Sequence, residues 1–213
     1  MTYFGDPTSR GWRNSALTRI VGSAASWFLF ALCFSLLLAV SFVVMSIGGS
    51  CASGGPYEIA VECPDGVAAF APLSIVGGLI AVAISVFLAQ GFGTPISTWA
   101  WPILFIGLGV AFLVAQDVTG YIVGGMFVLM GAVPLVLELR GSLQRVFIGQ
   151  NAANGAQLYE GERARRSLMS PRQPNPEGAV KPTFAHWLVG LGIPVLAAIA
   201  GYQVAVLWFA AAS

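Results

Sequence analysis

From Ile20 to Leu139 the chain runs for 120 residues without a Lys or Arg. Turn signals divide this stretch into apolar runs, each near the ~20 residues an α-helix needs to cross a bilayer. No soluble fold of 213 residues could bury so much apolar surface. Only 9% of residues are charged and 57% are hydrophobic, against ~25% charged in an ordinary soluble domain. The composition excludes a disordered chain, a nucleic-acid binder and an ordinary cytosolic domain. It implies an all-α, polytopic transmembrane bundle forming one membrane domain over residues 1–213.

Five spans are predicted, over about 20–47, 67–90, 98–115, 121–137 and 186–210. The first run is 28 residues, so it tilts or projects beyond the hydrocarbon. It is also too long for a signal peptide, whose apolar region is ~7–15 residues. Residues 48–66 read as a loop, with turn chemistry at Gly54-Gly55-Pro56 and Pro64-Asp65-Gly66. Residues 91–97 form a short turn with Pro95, and residues 116–120 a tighter one. The short third and fourth spans are therefore expected to form a close helical hairpin.

Orientation follows from the ten cations: Arg10, Arg13, Arg19, Arg140, Arg145, Arg163, Arg165, Arg166, Arg172 and Lys181. With the N-terminus in the cytoplasm, four spans return residues 138–184 to the same side, and all ten cations face inward as the positive-inside rule requires. One span fewer would split them between the two sides. The expected location is the plasma membrane, with the C-terminus outside. Trp99, Trp101 and Trp187 then fall near the inner interface, and Tyr121 and Trp208 near the outer one.

Cys51 and Cys63 share the first outer loop, in a compartment that tolerates disulfides. A bridge would close a loop of ~13 residues and contribute about 3 kcal/mol on the chain-entropy view. The favoured role is a structural staple, since redox pairs are normally close-spaced. Cys33, mid-span, reads as a small buried apolar residue. The string Cys51-Ala52-Ser53-Gly54-Gly55-Pro56-Tyr57-Glu58-Ile59-Ala60, followed by Cys63-Pro64, resembles a loop of actinobacterial multi-pass membrane proteins, in which it follows a long first helix. That resemblance covers about 14 residues. It implies source and topology and carries no activity.

The predicted spans hold no ionisable residue between their ends, where such residues would point to relays, ion paths or catalysis. Asp117, Glu138 and His186 lie at span ends, and the three occupy different membrane faces. An interfacial lipid enzyme using them is therefore disfavoured, because catalytic groups must reach one atom. A single His and no Cys-x-x-Cys argue against a metal site, and no cofactor is implied. No P-loop, nucleophile elbow or His-Glu-x-x-His is present.

The spans do carry small-xxx-small pairs, Gly22/Ser26, Gly107/Ala111 and Ala197/Gly201, that let helices approach closely. Pro72, Pro102, Pro134 and Pro194 mark one span each, and Pro194 is expected to kink the last. Ile75-Val76-Gly77-Gly78 and Ile122-Val123-Gly124-Gly125 form a faint internal echo.

In the inner segment, Leu139, Leu143, Val146 and Phe147 fall on one side of a short amphipathic helix. Arg163, Arg165, Arg166 and Arg172 form a basic cluster, a topology determinant and a candidate contact for anionic lipids or acidic partners. Nearby Glu160, Glu162 and Glu177 argue against nucleic acid. The sequence thus implies a non-enzymatic scaffold or accessory subunit that meets the bilayer and membrane partners, or its own copies, through helix faces and the outer loop. The alternative is a small transporter or channel subunit assembling its path by oligomerisation, with a cavity lined by Ser, Thr or Gln.

Overall fold

A computed structural model describes residues 16–48, 51, 61–63, 66–89, 92–114, 116–141, 146–147 and 184–212. These residues build an all-α bundle of five helices: α1 (Ala16–Ser46), α2 (Val67–Ile84), α3 (Ile96–Leu113), α4 (Val118–Gly141) and α5 (Phe184–Ala212). Each helix is long and apolar enough to cross a membrane. The chain is a multi-pass integral membrane protein. Helices are what such a sequence must form in lipid, where every backbone N–H and C=O has to be satisfied within the segment.

The 30-residue apolar stretch of α1, Leu17–Ser46, is about 45 Å long at 1.5 Å per residue. That exceeds the ~30 Å hydrocarbon core, in line with the tilt or projection expected from its length. α2 is extended by a π-helical turn over Ser85–Ala89. α4 begins earlier and ends later than its apolar run, because Asp117 caps its start and its last turns continue through Glu138.

α1 is the hub, packing against α5, α2 and α3. α3 and α4 form the expected hairpin, and α3 is the main partner of α4. The connecting turn places Gln116 in the left-handed region at φ 53°. α5 runs parallel to α1. Its Gly190 accepts the Thr94 N–H at one end, while Trp208 and Phe209 meet Phe70 at the other. The bundle therefore has a Thr94 end and a disulfide end, with Cys51 and Cys63 joined at the latter.

Two clusters form the core. One joins Leu32, Cys33, Leu36, Val40, Phe70 and Ala205, between α1, α2 and α5. The other joins Trp27, Phe30, Ala81 and Ile96, between α1, α2 and α3. Cys33 is buried and unbridged, as the sequence implied.

Glycine decides where the helices close up. A Cβ on Gly201 would collide with the Phe28 carbonyl oxygen, and one on Gly107 would lie 2.5 Å from Phe34 Cζ. Gly22 faces the π-helical turn, with Ala89 N 2.8 Å from the same hypothetical atom. The small-xxx-small pairs thus mark real seams. α5 runs unbroken through Pro194, which the sequence marks as a kink. Its ring lies beside the buried Gly93, where a Cβ would sit 3.4 Å from Pro194 Cγ.

Candidate functional site

Three regions carry polar or open features: the disulfide end, the Thr94 end and the flank between α2 and α3. At the disulfide end, the Cys51–Cys63 bond spans a Cα separation of 4.9 Å. The tether joins the end of α1 to the approach to α2. Asp117 has a local duty there, since its Oδ1 accepts the Gly120 N–H in the first turn of α4. That is N-cap chemistry.

Asp117 and Glu138 stand at opposite ends of α4. Their separation along the helix is ~30 Å at 1.5 Å per residue, so the fold does not bring them together. His186 lies in the first turn of α5. Among the described residues, no three His, Cys, Asp or Glu side chains are grouped to hold a metal. Arg163, Arg165, Arg166 and Arg172 lie outside the described residues.

At the Thr94 end lies the short turn with Pro95, and its residues 92–96 are covered. Phe92, Gly93, Thr94, Pro95 and Ile96 are all buried, wedged between α1 and α5. Five hydrogen bonds hold this turn and its surroundings. Thr94 N–H donates to Gly190 O at 3.0 Å. Thr94 Oγ1 donates to Phe147 O at 2.6 Å, with Gly190 O a more distant acceptor at 3.4 Å. Trp27 Nε1 donates to Thr94 O at 2.7 Å, and Trp99 Nε1 to Val146 O at 2.9 Å.

Gly93 is required at this turn twice over. Its φ of +72° suits glycine, and a Cβ would meet Gly190 O at 2.9 Å. Val146 and Phe147, placed by pattern on the apolar side of a short amphipathic helix, are helical, and their carbonyls serve this lock; Val146 is buried. Arg19, which the charge pattern puts in the polar flank before the first span, is in α1 and fully buried.

The third region is a groove between α2 and α3, two helices that share α1 but scarcely touch each other. It has a volume of 240 Å³. Its floor is Phe30, Phe34 and Leu37 of α1. Ser74, Ile75, Gly78, Leu79 and Val82 form one wall, and Ala100, Trp101 and Leu104 the other. Phe30 and Phe34 stack with centroids 5.9 Å apart. Trp101 is held by its Nε1–H on Met130 O at 3.2 Å and by the Phe105 ring at 4.2 Å.

Serine chemistry differs along the bundle. Ser26 and Ser41 donate to their own helix, to Ser23 O and Leu37 O, the usual economy of membrane helices. Ser23 and Ser74 hydroxyls are buried and make no hydrogen bond among the described residues. Ser74 is the sole hydroxyl side chain on the groove wall. This cavity is therefore apolar, whereas a transport path was expected to be lined by Ser, Thr or Gln.

No protein-family model, curated protein or solved structure matches the chain.

The sequence signalled the groove only faintly. Phe30, Phe34 and Leu37 are spaced i, i+4 and i+7, and Ser74, Gly78 and Val82 i, i+4 and i+8. Every face of these helices is apolar, so periodicity cannot tell a groove wall from a lipid-facing surface. The lock had a better signal in Trp27, whose indole N–H needs an acceptor when buried in a span.

Proposed function

We propose that the protein is a non-enzymatic scaffold or accessory subunit of a membrane complex in the plasma membrane, with its N-terminus cytoplasmic and its C-terminus outside. One observation carries the reading: α4 is a flank helix attached mainly through α3, and its outer side is apolar with an open glycine position. Ile122, Met126, Leu129 and Val133 are exposed along it, and a Cβ on Gly125 would meet nothing within 4 Å. A small residue in such a stripe lets a second membrane helix come close to the backbone.

The cation distribution supports the orientation, and the Arg163, Arg165, Arg166 and Arg172 cluster would then lie against anionic lipid headgroups. The tethered Cys51–Cys63 loop would be a second contact surface, on the outer side.

The test is a photo-crosslinking residue at Met126 or Leu129 in native membranes, combined with purification in mild detergent. A defined partner, or a second copy, crosslinked through α4 is expected. A lone monomer with no crosslinked product from either position would end the reading.

A further inference from the structure

We propose that the groove between α2 and α3 is a binding site for one hydrocarbon chain of a membrane lipid. Its depth argues first. Every lining residue falls inside a membrane-crossing stretch: Leu17–Ser46, Ala69–Ala89 or Ile96–Leu113. The groove runs from the inner part of α3 along the middle of α1 and α2, so bilayer hydrocarbon is the medium beside it.

Water is a poor occupant. A buried water needs two to four polar partners. The groove offers one hydroxyl side chain, and the Ser74 oxygen is itself covered. An engineered apolar cavity of ~150 Å³ stays dry and takes up benzene, and this groove is larger at 240 Å³. An empty groove is poor as well, because its lining would forfeit dispersion contacts that fluid lipid can supply.

Shape separates a lipid chain from a protein helix. Ser74 to Val82 spans eight helical steps, about 12 Å at 1.5 Å each. A helix ~10 Å across would need roughly 900 Å³ over that length, more than the 710 Å³ of free space in and over the groove. A single polymethylene chain lying along α2 suits a long, narrow groove. Large rings line it: the Phe30–Phe34 stack of α1 forms the floor, and Trp101, whose Nε1–H donates to Met130 O of α4, belongs to the α3 wall. Gly78 keeps the wall open, since a Cβ there would meet nothing within 4 Å.

The test uses full-length protein in phosphatidylglycerol/phosphatidylcholine vesicles that contain a phospholipid with a diazirine midway along one acyl chain. After irradiation, adducts are mapped by peptide mass spectrometry. Adducts on Leu79, Trp101 and Leu104 are expected at least about fivefold above those on Ile122 and Leu129 of α4. Gly78→Leu should fill the groove and lower groove adducts at least about threefold. Gly125→Leu, at the equivalent place in the second Ile-Val-Gly-Gly, should leave them unchanged. Both positions have open space for a side chain, and the wild-type pattern tests the proposal without any variant. Groove labelling no higher than that of α4, or labelling that persists in a folded Gly78→Leu protein, would overturn it. So would photo-leucine at Leu79 crosslinking to a second copy instead of to lipid.

Discussion

The α1–α5 seam and the α2–α3 flank lie on neighbouring sides of the same hub helix, yet one is closed and the other open. Along the seam, Gly201 lets α5 come against the Phe28 backbone, and Ala205 is buried beside Leu32 and Leu36. Along the flank, Phe30 and Phe34 of α1 floor a 240 Å³ groove that Trp101 helps to wall. In lipid no hydrophobic force drives helices together, because the solvent is as apolar as the side chains. Contact forms where small residues allow backbones to meet, and large rings leave gaps that hydrocarbon can fill.

The largest effect that could break this contrast is expected at Gly201. Gly201→Leu must push α5 off α1, because its Cβ would collide with backbone rather than with a flexible tip. A loss of about 3 kcal/mol or more is expected, at the upper end of overpacking costs, read by unfolding in mixed detergent micelles. If Gly201→Leu were neutral, the seam would not be the tight interface described.

Next is the α3–α4 hairpin. A Cβ on Gly124 would meet Gly109 O at 2.8 Å, so Gly124→Val should cost about 2 kcal/mol. It should also raise the labelling of α3 residues by a lipid-soluble carbene reagent as α4 loosens.

Thr94→Ala removes the hydroxyl bond to Phe147 O and keeps the backbone bond to Gly190 O. About 1 kcal/mol is expected, since side-chain hydrogen bonds inside membranes are modest. Amide exchange at residues 146–147 should quicken in Thr94→Ala and be restored in Thr94→Ser. Equal exchange in all three proteins would show that the lock does not depend on the hydroxyl.

The smallest effect is at Gly78, on the open flank. Gly78→Ala meets no neighbour and should stabilise α2 by about 0.5–1 kcal/mol through helix propensity alone. A clear destabilisation would mean that the flank is packed. The pair Gly201→Ala and Gly78→Ala, measured side by side, would sharpen the comparison with opposite signs.

Much of the architecture was legible beforehand. Apolar length located five helices to within a few residues, because lipid allows little other than a helix to form there. The Cys51–Cys63 pair followed from loop position, and the hairpin from the short third and fourth runs. The buried turn was not legible. Phe92 to Ile96 carry turn chemistry, and nothing local says that Gly93 and Thr94 are wedged between α1 and α5. Nor did the charge pattern show that Arg19 is covered, since it reports which end a cation occupies and not what packs over it.

The sequence by itself determined the class of protein, the number of crossings and the disulfide. These depend on composition, length and spacing, which act one segment at a time. Tertiary structure alone decided which helix is the hub, that Gly78 and Gly125 face open space while Gly77 and Gly124 are packed, and that α2 and α3 leave a groove. Those outcomes depend on how the side chains of separate helices meet. In helices apolar on every side, no single segment records which face meets protein and which meets lipid.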